Sequence, residues 1–546
     1  MLFAYLLSLL DRTQAAIHRA SLTCWILLLS TFILLGLWII WWLYRFVLLP
    51  RVRPHDPPTL PYLVPCTSNI DIGHMGGFFQ DSHRLMARGV KHFSNTRQPF
   101  SIVILGKIYY VIASPIDATD FYSNTTTLSW DGFLNHTLHA FGVSPKRLEA
   151  LWSRPEKATV LNPQRKCLIH LTQDLYKQHL LPGPTYSGLI DKYRRSLQDL
   201  SSWDKLSSRH GKEATARGNV FSLYDLCAQV MIDATQLSLF DPILFAIDPT
   251  MTDNMRTFTD QLWKLLYNSV LLDAREINSL REKYTRAFSI YQRLPKEMRK
   301  NEAWIVTALI DQYKEQGIHE DDSAAMLVMV YWTGDANAYK LAFWIMSYIL
   351  FDPDLYTALV AETSPAISDN GDINMPYLAE NCPLLRSVYS EALRLRKRDL
   401  AFRQVETDTH IGGKVLRGGN LALVPMCQLH DDRSVFGEDA SIFDATRFKR
   451  ETGFQNCTSY KPYGGGKTYC PGRFFAMQEI FAFVAVMLNR YGIQKEQGCQ
   501  RFPKPDESSL TLGVSRPLPG EDLQVHLTNP QVVGICPEKS VADVCV

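Results

Sequence analysis

The first strong pattern in the chain is a run of apolar residues that contains no charged side chain. It covers residues 22–44 and reads "LTCWILLLSTFILLGLWIIWWLY". A helix of this length can span bilayer hydrocarbon, which is about 30 Å thick. Trp38, Trp41, Trp42 and Tyr44 gather at its end, where aromatic rings favour the membrane interface. The pattern predicts a retained transmembrane anchor rather than a buried core helix or a cleaved signal peptide.

The residues that follow the run are rich in proline. Six prolines in residues 45–65 predict an extended and stiff hinge. Around these segments we expect an N-terminal segment over residues 1–21, one large and mostly helical domain over 66–530, and a C-terminal tail over 531–546. Arginines are slightly more frequent after the run than before it, which favours a cytosolic position for the large domain.

Two patterns in the large domain predict its elements. The β-branched and aromatic residues of "FSIVILGKIYYVIAS" (100–114) predict a hairpin that turns at Gly106 and Lys107. Farther along, Asp321, Asp322 and Ser323 predict a helix start, and no proline follows until Pro353, so we expect a helix of about 30 residues. The polar stretch "TGDANAYK" interrupts this helix. Its Gly334 indicates either close helix packing or room for a ligand, and the pattern alone does not decide between them.

Two later helices carry the candidate chemistry. The first contains "CPLLRSVYSEALRLRKRD", in which Glu391 and Arg394 share a face, an arrangement that is often only a surface ion pair. The second is predicted from Arg473 to Arg490. Cys470 lies just before its N-terminus, where the helix dipole and free N–H groups stabilise a thiolate.

Four glycines surround this cysteine in the stretch "KPYGGGKTYCPGRFFA" (461–476), namely Gly464, Gly465, Gly466 and Gly472. They indicate either an ordinary tight turn or a backbone that must approach a large ligand closely. With the helix directly behind the sulfur, we interpret the stretch as a thiolate ligand beneath a flat macrocycle, a haem.

Composition excludes several other classes of function. The 57 Lys and Arg nearly balance the 55 Asp and Glu, and no long basic run occurs, so nucleic acid is not an expected partner. The eleven cysteines are scattered without a C-x-x-C pair. Their odd number and irregular spacing indicate a reducing compartment rather than a zinc site or a disulfide framework.

At the cysteine stretch the chain resembles a known family. "YGGGKTYCPGRFFA" is similar to the haem-binding signature of cytochrome P-450 (haem-thiolate) enzymes, and Glu391 and Arg394 resemble their E-x-x-R motif. Arg447, in "FDATRF" (443–448), resembles the arginine that completes a buried structural network with this pair. "TGDAN" (333–337) falls where the oxygen-side helix of the family should lie.

The resemblance implies a fold and a cofactor. The fold would be mainly α with small β-sheets, a single large domain behind one N-terminal transmembrane helix. The cofactor would be haem b, with Cys470 as the axial ligand of the iron and with Gly464, Gly466 and Gly472 in the cofactor-binding loop. Thr468 stands where the family often has an Arg or His that contacts a haem propionate, so we expect Arg403 to make this contact.

The oxygen-side motif departs from the family pattern. Ala336 and Asn337 replace the usual acid-alcohol pair, as in the branch that contains sterol 7α-hydroxylases and prostacyclin synthases. Asn337 cannot act as an acid, but its amide can orient a water or bound dioxygen. Thr333, one helical turn earlier, is a second catalytic candidate, whereas Asp335 should face another side of the helix.

By resemblance, the protein is a membrane-anchored monooxygenase of the endoplasmic reticulum with a cytosolic catalytic domain. It would oxidise a lipophilic substrate (a sterol, terpenoid or other secondary metabolite) with O₂ and with NADPH electrons delivered by a flavoprotein reductase. Lys449, Arg450, Lys461 and Lys467 suit an acidic reductase or are simply solvated. Two alternatives stay open: a haem-thiolate isomerase or dehydratase that acts on a peroxide without a reductase, and a non-catalytic haem sensor or carrier.

Overall fold

The computed structural model describes most of the chain. The described residues are 24–62, 73–210, 213–215, 218–267, 273–368, 370–496, 498–507, 510 and 512–528. The predicted N-terminal segment (1–21) and C-terminal tail (531–546) lie outside these ranges. Within them the fold is mainly α with small β-sheets, which confirms the predicted fold class.

The described part of the chain begins with a long helix whose apolar side chains are mostly exposed. It runs from Cys24 to Val52 and includes a π-helical turn at Tyr44–Leu48. None of its most apolar residues are buried, and the helix is long and apolar enough to cross a membrane. A second helical stretch, Gly466–Arg490, is also long and apolar enough to cross a membrane, but 61% of its most apolar residues are buried inside the domain. That stretch is therefore a core element, whereas Cys24–Val52 is the candidate membrane span.

The proline-rich segment is bound to the domain where the structure describes it. Helix continues to Val52, and the chain then lies along Ser101, whose N–H donates to the carbonyl of Pro58 and whose carbonyl accepts from the N–H of Leu60, both at 2.8 Å. The Tyr62 ring packs against Trp41 of the N-terminal helix, with centroids 5.8 Å apart. The first part of the predicted hinge therefore fixes the end of this helix to the domain.

Helices form most of the domain. The first half of the chain contributes Met75–His92, Pro115–Ser123, Asp131–Phe141, Leu148–Trp152, Leu168–Leu180, Pro184–Leu200, Trp203–His210, Leu223–Leu239, Ile243–Ile247 and Met251–Tyr267. The second half contributes Arg275–Arg293, Trp304–Glu315, Glu320–Asp335, Ala338–Leu350, Pro353–Thr363, Met375–Glu380, Pro383–Arg396, Met426–His430, Arg433–Phe436, Arg447–Arg450 and Arg473–Arg490.

The described strands form three small sheets. They are β1 (Phe100–Ile104), β2 (Lys107–Val111), β3 (Leu128–Ser129), β4 (Glu213–Thr215), β5 (Gly218–Ser222), β6 (Leu400–Val405), β7 (Thr409–Ile411), β8 (Lys414–Leu416), β9 (Leu421–Pro425), β10 (Gly492–Lys495) and β11 (Gln524–Thr528). The strand orders are β1-β2-β9-β6-β3, β10-β11-β5-β4 and β7-β8. The predicted hairpin is β1 and β2, but it turns at Leu105 and Gly106, which both have positive φ, one residue earlier than expected.

The prediction of one helix of about 30 residues after residue 320 is wrong, because the structure has two helices there. Glu320–Asp335 and Ala338–Leu350 are separated at Asn337, whose φ of −133° lies outside the helical region. The first helix is capped by His319 rather than by the acidic residues that follow. We call this pair the broken helix. Gly334 lies where a Cβ would be 3.2 Å from Leu239, so close helix packing accounts for this glycine.

Candidate active site

The cysteine loop, residues 461–472, places its sulfur at the start of a core helix. Gly472 is the N-cap of Arg473–Arg490, and the N–H of Cys470 donates to the carbonyl of Tyr463 at 3.1 Å. Burial raises the pKa of the Cys470 thiol, while backbone N–H groups of Gly472 and Arg473 and the nearby Lys397 charge act in the opposite direction. A metal cation at the sulfur deprotonates such a thiol outright, and these donors then stabilise the thiolate.

The glycines of the cysteine loop are required for different structural reasons. Gly466 has a φ of +58°, and a Cβ there would overlap the carbonyl oxygen of Tyr122 in the helix Pro115–Ser123. A Cβ at Gly472 would instead lie 3.9 Å from the Cys470 sulfur, and Gly464 has a φ of +74°. Gly466 is therefore required by packing against Tyr122 and Gly464 by its left-handed backbone, whereas a side chain at Gly472 would lie in contact with the sulfur.

The predicted network residues come together in the interior. Glu391 receives two hydrogen bonds from Arg394, both 2.8 Å long, and one of 3.1 Å from Arg447. Glu391 and Arg394 are fully buried, and Arg447 nearly so. Arg447 also donates to Asp439 and to the carbonyl of Phe436. Because the charges are paired and their donors are satisfied, the network can persist without water.

His430 links this network to the cysteine loop, and sequence reasoning missed it. The Arg394 guanidinium donates to the carbonyl of His430 at 2.7 Å, and His430 Nδ1 lies 3.1 Å from the carbonyl of Arg394. His430 Nε2 accepts from the N–H of Lys461 at 3.2 Å. Since Nε2 accepts, Nδ1 carries the proton, and burial lowers the pKa of this imidazole to about 3. No sequence motif marks this residue, because the hydrogen bonds of its side chain go to backbone atoms.

Arg403 lies at the other end of the cysteine loop. It projects from β6, is 3% exposed, and donates to the hydroxyl of Thr468 at 2.7 Å. The structure therefore brings the predicted propionate ligand to the position where the family often has its own cation. Burial lowers the pKa of this guanidinium.

The oxygen-side candidates are placed differently from the expectation. Asn337 sits in the break, and its Oδ1 accepts from the N–H of Val514 at 2.7 Å. Thr333 is exposed and donates to the carbonyl of Val330 at 2.9 Å. The expectation that Thr333 and Asn337 lie one turn apart on one helical face is wrong, because the helix is interrupted between them.

Two buried carboxyls lie behind the break. Asp335 contacts the side-chain amide of Gln236, and its Oδ1 has no hydrogen-bond partner among the described residues. Glu479 accepts from the hydroxyl of Thr235. Burial raises the pKa of Asp335 far above its usual range and that of Glu479 to about 8. Asp335 therefore faces the helix Leu223–Leu239, away from Asn337, as the sequence indicated.

A groove of about 630 Å³ opens beside the cysteine loop. Its walls include Arg386, Lys461 and Arg473, together with Tyr469 and Phe474. Lys467 and Lys449 are exposed near it, whereas Arg450 is paired with Asp444. This face, which we call the proximal face, combines cations with aromatic side chains.

The arrangement fits a haem. A sulfur that receives backbone N–H donors is a suitable axial ligand, Gly472 leaves it without a neighbouring side chain from that position, and Arg403 offers a charge for a propionate. Among the described residues no group of His, Cys, Asp and Glu forms an alternative metal site. The family model named Cytochrome P450 matches residues 222–521, which contain all of these groups. The chain belongs to the cytochrome P450 family.

Relatives agree with this placement. The cytochrome P450 monooxygenase poxD of Penicillium oxalicum is 24% identical over 471 residues, which cover 82% of this chain and 89% of the relative. Prostacyclin synthase of Rattus norvegicus is 23% identical over 508 residues, or 85% and 92% of the two chains. Cholesterol 7-alpha-monooxygenase of Cricetulus griseus is 29% identical over 221 residues, or 36% and 44%. These relatives include both enzymes of the branch named from the sequence.

The protein is accordingly a cytochrome P450 monooxygenase, an oxidoreductase that uses haem iron and O₂ and takes its electrons from a reductase. When bound, the haem would supply the oxygen activation. The cysteine loop and the core helix that follows it would hold this group.

Proposed function

We propose that this P450 is anchored in the endoplasmic reticulum membrane and hydroxylates or otherwise oxidises a lipophilic substrate, such as a sterol, terpenoid or other secondary metabolite. Cys470 is its iron ligand, Arg403 holds a propionate, and Glu391, Arg394 and Arg447 keep the proximal side rigid. The observation that carries the proposal is the Cys470 sulfur in a glycine-lined loop at a helix N-terminus. The sterol and secondary-metabolite relatives support a lipophilic substrate.

The N-terminal helix supports the membrane location. Its apolar side chains are exposed, and the Trp41, Phe46 and Tyr62 rings pack together at its end, which supports a position of the domain at the bilayer surface. The exposed Asn456 begins an N-x-[ST] sequon, whereas the Asn124 side chain is hydrogen-bonded to Thr127 and Thr409. With a cytosolic domain Asn456 carries no glycan, so glycosidase treatment should leave the mobility of the native protein unchanged. A mobility shift that Asn456→Gln removes would place the domain in the lumen.

The electrons come from an NADPH-dependent flavoprotein reductase that binds the proximal face. The cations Arg386, Lys461 and Arg473 suit an acidic partner, and the groove between them is lined by residues of the cysteine loop. On the opposite side, Asn337 orients dioxygen or water, and the exposed Thr333 hydroxyl contributes a further polar group.

The test is a reconstitution of the full-length enzyme with a reductase, NADPH and ¹⁸O₂ over a panel of lipophilic substrates. We expect a product that contains one labelled oxygen atom and whose formation stops when NADPH or the reductase is omitted. An unlabelled product that forms from a hydroperoxide without NADPH would contradict the proposal and identify an isomerase or dehydratase. Retained haem without turnover of either kind would identify a sensor or carrier.

A further inference from the structure

The orientation of the Asn337 amide is determined by a loop far away in the sequence. Asn337 precedes the second half of the broken helix, but its side chain makes no capping bond to that helix. Its Oδ1 accepts instead from the N–H of Val514, at 2.7 Å. A backbone N–H can only donate, so the amide oxygen must point towards Val514 and Nδ2 must point away from it.

The loop that supplies this N–H is held independently of Asn337. The N–H of Arg398 donates to the carbonyl of Gly513 at 3.0 Å, and the N–H of Ser515 donates to the carbonyl of Arg396 at 2.9 Å. The Trp344 indole N–H donates to the carbonyl of Ser515 at 2.7 Å. We call residues 512–516 the C-terminal loop. It is bonded to the chain directly after the E-x-x-R helix, which gives it a defined position.

Gly513 makes close approach of the loop possible. Its ideal Cβ position overlaps the Asn337 amide, and its φ is not in the left-handed region. The absence of a side chain is therefore required by contact with Asn337 and not by backbone conformation. An alanine at this position would have a permitted backbone but would push the amide from its place.

From this geometry we infer that the C-terminal loop orients Asn337 so that the amide presents its donors on the oxygen side of the enzyme. With Oδ1 turned towards the N–H of Val514, the two N–H bonds of Nδ2 are what the amide offers on its other side. Such a group binds an oxygen that accepts hydrogen bonds, as in dioxygen or a substrate carbonyl, and it cannot relay a proton. The position of these Nδ2 donors on the oxygen side of the haem rests on the proposed function.

Three variants separate the loop, the amide and the helix break. Gly513→Ala displaces the amide without changing Asn337. Asn337→Asp keeps an acceptor for Val514 but loses the Nδ2 donors, and Asn337→Ala loses both. Gly453→Ala is the matched control, because a Cβ at Gly453 meets no atom within 4 Å and its φ is not positive.

Two measurements on the haem-loaded protein need neither substrate nor reductase. Hydrogen exchange of the peptide that contains Val514 should be about tenfold faster in Asn337→Ala and Gly513→Ala, because one hydrogen bond is lost, and unchanged in Asn337→Asp and Gly453→Ala. The C–O stretching band of the reduced carbon monoxide complex reports a donor beside the bound diatomic ligand. This band should shift in Asn337→Asp, Asn337→Ala and Gly513→Ala, and not in Gly453→Ala.

Each result decides the inference. Unchanged exchange at Val514 in Asn337→Ala would show that the bond to the loop does not exist. An unchanged C–O band in both Asn337→Asp and Gly513→Ala would show that the amide does not reach the oxygen side. If the variants behave as expected but no labelled oxygen enters any product, the inference stands and only the proposed monooxygenase reaction on these substrates fails.

Discussion

The proximal side and the proposed oxygen side of this P450 are built in different ways. On the proximal side, residues of short motifs meet within one continuous network: Glu391 with Arg394 three positions on, and Cys470 with the helix that follows it. On the oxygen side, the central residue is oriented by a partner 177 positions away, Val514. The first side is held by buried charges that start from short motifs and also bind Arg447, whereas the second depends on the packing of a distant loop. We therefore expect substitutions on the proximal side to affect the fold and those on the oxygen side to affect function.

The largest effect should come from the buried network. Arg394→Ala removes two hydrogen bonds and one positive charge from the buried Glu391 carboxylate, and removal of one partner of such a pair costs about 3–5 kcal/mol. We expect the variant to lose its haem and most of its folded population, as measured by absorbance and circular dichroism. The matched control is Arg433→Ala, whose partner Glu438 is exposed and which should cost less than about 1 kcal/mol. A stable, haem-loaded but inactive Arg394→Ala protein would show that the network serves catalysis and not the fold.

A second effect is on the pH dependence of the free energy of unfolding, and it concerns the buried carboxyl of Glu479. In the folded chain its pKa is about 8, because of burial, whereas the usual value is 4.5. As pH rises, Glu479 therefore loses its proton in the unfolded state before it does so in the folded state. The free energy of unfolding is highest below pH 4.5 and falls between pH 4.5 and about pH 8. Asp335, whose pKa burial also raises, acts in the same direction.

The slope from Glu479 alone should approach about 1.4 kcal/mol per pH unit within this window. In Glu479→Gln the free energy of unfolding, measured with denaturant from pH 5 to pH 8, should vary less with pH than in the parent. The exposed Glu438→Gln is the control and should keep the parent slope. Equal slopes in Glu479→Gln and the parent would mean that Glu479 is ionised in the folded protein.

A smaller effect is expected at Arg403. Hydrogen bonds to a charged group contribute about 1.5–3 kcal/mol, so Arg403→Gln should release haem at least about tenfold faster, as followed by transfer to a haem acceptor. Arg417→Gln, on the partly exposed Arg417 that pairs with Asp56 and Asp408, should leave the rate unchanged. Equal rates in Arg403→Gln and the parent would assign the propionate to another residue.

The sequence predicted the two sides to different extents. The E-x-x-R helix, the helix from Arg473 and the hairpin β1–β2 follow from local periodicity and turn residues, which depend on neighbours in the chain. The break at Asn337 did not follow, because it is compensated by a hydrogen bond to Val514 that no local pattern records. His430 was missed for the same reason, since its bonds to Arg394 and Lys461 involve backbone atoms. Every residue carries the same backbone groups, so a long-range hydrogen bond to the backbone cannot be predicted from residue types.

The central claim, that the Cys470 sulfur binds the haem iron, is tested most directly by the reduced carbon monoxide spectrum. The parent should show the red-shifted Soret band that thiolate ligation gives to this complex. Cys470→Ser should lose the band, while Cys499→Ser, at a cysteine outside the loop, should keep it at full intensity. If folded, haem-containing Cys470→Ser protein retains the thiolate band, another residue is the ligand and the account of the proximal side is wrong.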